Sequence, residues 1–167
     1  MGIIDDFVTV DNATSIIPDS DYVIDCIDNF RVKAAIIAHC RRQKRNVITI
    51  GGAGGQLDPT RIQQVDLSRT QHDALFAKTR KLLRQDYDFP RNPKRSFSIP
   101  CVYSDEQIRF PDGQGGTTFS KPEETASGLS CAGGIGSAMQ VTTAFAMFAV
   151  AKVIKDLIAS TEKSEAV

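Results

Sequence analysis

The sequence predicts an α/β fold, a parallel sheet with additional mixed or antiparallel strands and a long C-terminal helix. Three observations predict it. Tyr22–Ile27 (YVIDCI), Phe30–Cys40 (FRVKAAIIAHC) and Val47–Ile50 (VITI) read as strand, helix and strand. Such a βαβ unit builds parallel strands through a right-handed crossover. Ser137–Ile158 reads as one long helix whose Ala138, Ala144, Ala146, Ala149 and Ala151 permit close packing. An apolar content of 41% beside 24% charged residues supplies a core and argues against disorder, collagen or a coiled coil. At 167 residues the chain reads as one domain, 1–167.

Met1–Asp6 (MGIIDD) has the pattern of an apolar strand running out into a polar turn. A sheet seldom begins with half a strand, so the chain reads as the C-terminal part of a larger domain. The first full strand ends at Asp28-Asn29, residues suited to capping the helix from Phe30. Ala34–Ala38 form that helix's buried stretch, with basic residues at its ends. Arg41–Lys44 suit its last turn, where the backbone dipole favours cations. The second strand stops at Gly51-Gly52-Ala53-Gly54-Gly55, and Asp58-Pro59 turns the chain. Arg61–Leu67 alternates loosely, as a half-exposed strand does. Gln71–Gln85 is helical, with Leu75, Phe76, Leu82 and Leu83 inward and Lys78, Lys81 and Arg84 on one outer face. Short strands are expected near Ser98–Ser104 and Gln107–Phe110. The segments 86–96 and 111–127, rich in Pro, Gly and polar residues, are expected to be mobile loops.

Several classes are disfavoured. The longest nearly apolar run, Val141–Ala151, falls short of the roughly 20 residues that span a bilayer. The first residues lack the basic region of a signal peptide. Cys26, Cys40, Cys101 and Cys131 form no CxxC, and His39 and His72 have no helical partner. Neither a disulfide frame nor a zinc site is expected, and the thiols read as those of a reduced, cytoplasmic protein.

The formal charge of zero conceals segregation. Residues 1–28 hold seven aspartates and no Lys or Arg, whereas residues 29–45 hold Arg31, Lys33, Arg41, Arg42, Lys44 and Arg45 and no acid. A second basic tract, residues 69–95, includes Lys78, Lys81 and Arg84. Each tract reads either as a solvated helix face or as a surface for a polyanion.

Two glycine clusters fail the dinucleotide pattern. Gly52-Ala53-Gly54 meets Leu57 where a third glycine is required, Gly134-Ile135-Gly136 meets Met139, and neither carries GK[ST]. The first cluster still lies at the carboxyl end of a parallel strand, where open α/β sheets bind ligands. Asp28 stands at an equivalent strand end. It reads either as a helix cap or as a carboxylate that holds Mg²⁺ against nucleotide phosphates, since Mg²⁺ takes one or two carboxylates plus phosphate oxygens. Asp25, between Ile24 and Cys26, is either a buried hydrogen-bonded acid or the mark of a polar site.

Tyr22–Asn29 (YVIDCIDN), the Arg31-x-Lys33-Ala34-Ala35 helix and Ile48–Thr60 (ITIGGAGGQLDPT) resemble the second half of the ubiquitin-activating-enzyme-like ATP-binding fold, a partial Rossmann-like sheet. Gly51–Thr60, Asp66-Leu67-Ser68-Arg69-Thr70-x-x-Asp73 and Ser130-Cys131-Ala132-Gly133-Gly134 are most similar to the tRNA threonylcarbamoyladenosine dehydratases of that superfamily. The resemblance runs from about Ile3 to Leu157.

It implies ATP-dependent cyclisation of the threonylcarbamoyl group on a tRNA adenosine, through an adenylated carboxylate and with net loss of water. It places Asp28 as the catalytic carboxylate facing ATP and Mg²⁺, with Asn29, Gly51, Gly52, Ala53 and Gly54 lining the nucleotide or substrate cleft. It gives the basic tracts a partner in tRNA, held by Arg41, Arg42, Lys44, Arg45, Lys78, Lys81 and Arg84 in a salt-dependent way. A homodimer is implied as well. Two departures qualify it. The family's glycine-rich nucleotide loop, with the Arg and Lys that follow it, is absent, so this chain reads as an incomplete enzyme and its ATP binding alone is expected to be weak or absent. The CxxC zinc pairs of the sulfur-carrier activators are missing too, which favours the dehydratases. Cys131 is read as buried. The alternatives are an adenylyltransferase acting on a ubiquitin-like sulfur-carrier partner, and a non-catalytic tRNA- or protein-binding module.

Overall fold

Tyr22–Asp25 (β1), Asn46–Ile50 (β2), Ile62–Asp66 (β3) and Pro100–Ser104 (β4) form one sheet in the order β1-β2-β4-β3. The computed structural model describes residues 2–120 and 135–165. The first three neighbours in the sheet are parallel, and β3 runs antiparallel to β4. The βαβ unit is therefore present, closed by the helix Phe30–Arg42. Ala13–Ile16 (α1), Phe30–Arg42 (α2), Ala74–Asp86 (α3) and Met139–Glu165 (α4) are the helices. Phe110–Pro111 (β5) and Thr117–Thr118 (β6) make a small hairpin.

Strand periodicity sorts the sheet into two apolar faces. On one face, Val47, Cys101 and Tyr103 pack with α2 and with Phe76 and Leu83 of α3. On the other, Ile48, Ile62 and Val102 pack with Val141, Phe145 and Ala149 of α4. Burying each of the larger side chains is worth about 1.5–3 kcal/mol.

Local chemistry sets the ends of the elements. β1 stops at Asp25 because Asp25 Oδ1 accepts the Ile27 N–H at 3.1 Å and turns the chain. α2 runs on to Arg42 and ends where Lys44 adopts a left-handed φ of 55°, with the Arg45 N–H bonded to the Cys40 carbonyl at 2.9 Å. α3 begins at Ala74 rather than Gln71, because His72 also has a left-handed φ (56°) and Asp73 caps the helix. α4 passes Ile158 and continues to Glu165. Of its alanines Ala149 is buried and Ala144 partly buried against the sheet, whereas Ala146 and Ala151 face solvent, so only part of the alanine set serves close packing.

The irregular segment between α3 and β4 is tied down by polar contacts. Arg69 donates to the Pro93 and Lys94 carbonyls, Arg84 Nε to the Pro90 carbonyl, and the Phe97 and Ile99 N–H groups to Asp66. Phe89 and Phe97 meet edge to face with centroids 5.0 Å apart. Of the expected loop 111–127, residues 121–127 lie outside the described residues, as do Cys131 and its neighbours through Gly134.

Candidate active site

β1 and β2 end together, with Asp25 opposite Thr49, and the turns that follow them form the carboxyl edge of the sheet. Two helices begin at this edge. Asn29 caps α2 by accepting from the Arg31 and Val32 N–H groups at 2.9 and 3.4 Å. Asp73 caps α3 by accepting from the Phe76 N–H at 2.8 Å, while its other oxygen accepts from the Gly52 N–H at 3.0 Å. The glycine turn is thereby pinned to the start of α3. Two helix N-termini facing one edge favour negatively charged ligands.

Gly51 is required by this packing. A Cβ there would stand 2.2 Å from Asp73 Oδ2 and 3.1 Å from the Tyr103 side chain. Burial pushes the Asp73 carboxyl above its ordinary range, against the hydrogen bonds from Phe76 and Gly52 and the nearby charge of Lys33. Gly55 has a φ of 71°, and its carbonyl accepts from the Arg109 N–H at 2.9 Å. The following residues are held by Glu106, whose carboxylate accepts the Leu57 and Asp58 N–H groups at 2.9 and 2.8 Å.

Beneath the edge lies a buried charged cluster. Lys33 Nζ contacts Asp25 Oδ2 at 2.7 Å and Thr49 Oγ1 at 3.1 Å, and the Thr49 hydroxyl donates to the same Asp25 oxygen at 2.6 Å. Asp25 is thus the buried, hydrogen-bonded acid. Lys33, expected at a helix end, is instead wholly buried within α2. The signal for it was its place one turn before Ile37 on the apolar face of that helix.

Asp28 is exposed at the mouth of the edge, and the capping is done by Asn29 beside it, which leaves the Asp28 carboxylate for another role. Gly51, Gly52, Ala53 and Gly54 are all partly exposed along the same edge. Among the described residues no group of three or more His, Cys, Asp or Glu could cage a metal ion. One carboxylate completed by phosphate oxygens is a set that suits Mg²⁺ and does not suit a resident transition metal.

The basic residues divide into two places. Lys78 lies 5.6 Å above the Phe30 ring, and Arg31 lies 4.8 Å from the same ring, so both cations flank the start of α2 next to Asp28. Arg41, Arg42, Lys44 and Arg45 occupy its other end, about 18 Å away at the helical rise per residue. Arg41 stacks on Phe89 at 4.3 Å, and Arg84 stacks on Phe97 at 5.0 Å. Those rings touch, so the two basic tracts merge into one surface, with Lys81 exposed beside it. Arg45 is engaged with the Pro18 carbonyl and Asp19, and Arg42 Nε with the Ala38 carbonyl. A cavity of about 310 Å³ opens here, lined by Tyr22, Arg41, Lys44, Phe97 and Lys152. Sequence reasoning missed Thr49, Asp73 and Glu106 as anchors of the edge. It also missed Gln56, whose amide atoms are buried without a partner among the described residues.

A model of the ThiF family matches residues 3–165. The chain belongs to the ThiF family. This ThiF-family chain is 48% identical over 159 residues to the tRNA threonylcarbamoyladenosine dehydratase of Haemophilus influenzae, covering 95% of the chain and 59% of that relative. It is 43% identical over 161 residues to the dehydratase of Escherichia coli, covering 94% and 59% respectively. Among solved structures it is similar to one described as TcdA (CsdL), with a TM-score of 0.83, 39% identity, and 96% of this chain and 59% of that one covered. It is also similar to E. coli TcdA in complex with ATP, with a TM-score of 0.77, 39% identity, and 96% and 57% covered. The chain spans about 59% of the length of these curated relatives.

Proposed function

We propose that this ThiF-family chain works in the ATP-dependent dehydration of N6-threonylcarbamoyladenosine in tRNA. One observation carries the reading. The exposed Asp28 follows β1 as Gly51–Gly54 follow β2, at the sheet edge where α2 and α3 begin, in a chain 48% identical to such a dehydratase. A solved neighbour at 39% identity is an ATP complex of E. coli TcdA.

When bound, ATP with Mg²⁺ supplies a good leaving group for the substrate carboxylate. The chain's own residues bind and orient. Asp28 holds the divalent cation, the N-termini of α2 and α3 attract phosphate, and Arg31 and Lys78 add positive charge beside Phe30. The surface joining Arg41, Lys44, Lys81 and Arg84 receives tRNA phosphates and fixes where the modified adenosine meets the edge. The protein acts as a homodimer in the cytoplasm.

The test is incubation of the chain with millimolar Mg-ATP and tRNA bearing N6-threonylcarbamoyladenosine. AMP release matched by loss of one water from the nucleoside, read by mass spectrometry, is expected. Intact nucleoside with no AMP, in a chain that also fails to bind that tRNA at low salt, would sink the proposal. Titration calorimetry with Mg-ATP alone should show no micromolar site, because neither glycine cluster has the pattern of a nucleotide loop.

A further inference from the structure

The charged cluster under the edge is costly to build and has a direction. Lys33 and Asp25 are paired with both side chains fully buried. Such a pair rarely stabilises a fold more than apolar groups of the same volume would. The geometry shows what it arranges. Asp25 Oδ2 is occupied by Lys33 Nζ (2.7 Å) and the Thr49 hydroxyl (2.6 Å), which leaves Oδ1 aimed at the Ile27 N–H (3.1 Å). The Lys33 ammonium also reaches the Asp25 carbonyl at 3.5 Å and Thr49 Oγ1 at 3.1 Å. All three of its protons therefore serve the last residue of β1 and that residue's partner on β2. The short turn Cys26–Asp28 runs from this anchor to the Asn29 cap.

We infer that Lys33, Asp25 and Thr49 are positioning residues for Asp28. They hold the turn that presents its carboxylate at the mouth of the edge. Lys33 fixes the Asp25 carboxylate, Asp25 fixes the Ile27 amide, and the next residue is Asp28. The task of Asp28 rests on the function proposed above, whereas the holding of the turn does not.

Native-state amide exchange measured by NMR on the full chain separates the two. Lys33→Met alone leaves the buried Asp25 carboxylate without its counter-charge and is expected to unfold readily. It is therefore replaced by the double variant Asp25→Asn/Lys33→Met, in which both members are neutral and of similar size. With global stability matched to wild type, the Ile27 amide should exchange about tenfold faster, the effect of weakening one charge-assisted hydrogen bond. The amides of β2 and the core of α2 should keep their rates. Thr49→Val should show the same pattern at smaller amplitude, and Lys33→Arg should return the rates towards wild type. A purely structural role would change local exchange only in step with global stability. An unchanged Ile27 rate in the folded double variant and in Thr49→Val overturns the inference. In parallel, line broadening of the Cys26–Asn29 amides by Mn-ATP is read in wild type. Broadening that persists unchanged in Asp28→Asn counts against the proposed role of Asp28 and leaves the exchange result intact.

Discussion

Asp66 shows how much one side chain can organise. Its carboxylate accepts from the Ser68 and Phe97 N–H groups at 2.9 Å each and from Ile99 at 3.1 Å. It therefore joins the end of β3 to the start of β4 across the intervening helix. Replacing it with alanine leaves those donors poorly satisfied, and a loss of about 2–3 kcal/mol in urea unfolding is expected. The pH dependence follows from the same contacts. Burial raises the Asp66 carboxyl, but the hydrogen bonds from Ser68, Phe97 and Ile99 outweigh it, and its folded pKa lies below the ordinary carboxylate value. The stabilisation is therefore complete above about pH 4 and lost as pH falls through the depressed folded value. Circular dichroism of Asp66→Asn between neutral and acid pH should show a shallower decline than wild type; an identical decline would count against this account. The segment around Asp66 and Asp73 was visible in the sequence as a motif, but its work was not. The caps that Asp66 and Asp73 make to the Ser68 and Phe76 amides are local, but their bonds to Phe97, Ile99 and Gly52 reach residues distant in sequence, which local pattern does not carry.

At the scale of elements, α2 and α3 were legible from their apolar periodicity, and so were the two parallel strands that α2 connects. Their outer faces were only half legible. Helical spacing put Lys78, Lys81 and Arg84 on one face, yet Lys78 sits on Phe30 near Asp28 whereas Arg84 sits on Phe97 at the far end. Six positions of helix, about 9 Å, separate two environments that a charge count merges. The variants should differ accordingly. Lys81→Ala should weaken tRNA binding, lower the salt slope by about one phosphate contact and leave stability unchanged. Arg84→Ala should do the same and also cost roughly 1 kcal/mol, because it loses the Phe97 ring and the Pro90 carbonyl. Asp28→Ala should leave tRNA affinity unchanged. Filter binding at several salt concentrations with thermal melts of each variant checks all three. Equal stability for the two basic variants would show that the stacked arginine contributes nothing.

For the molecule as a whole, the parallel pairing of β1 and β2 was readable, because strand, helix and strand follow one another with the spacing of a crossover. The carboxyl edge of those strands was singled out from the same topology as the place for a candidate site. What lies beneath that edge was not. A lysine inside a helix and an aspartate inside a strand become partners only when the crossover brings them together, as with Lys33 and Asp25. α4 extends this point across the whole length of the sheet. Near its start Gly54 bridges to Ser137, and near its far end the Tyr22 hydroxyl donates to Asp156 at 2.9 Å, beside Lys152. Burial, then the Asp156 hydrogen bond and its charge, push the Tyr22 phenol far above its ordinary value. The stability that this brings is present below about pH 10, where the unfolded phenol ionises, and is lost as pH rises further. The chain has no tryptophan and three tyrosines. Its near-ultraviolet absorbance therefore carries a built-in optical gauge. Tyr103 is raised by burial as well, so it is the part of the delayed phenolate signal that Asp156→Asn moves to lower pH, that of one tyrosine in three, that reports whether the long helix is seated on the sheet.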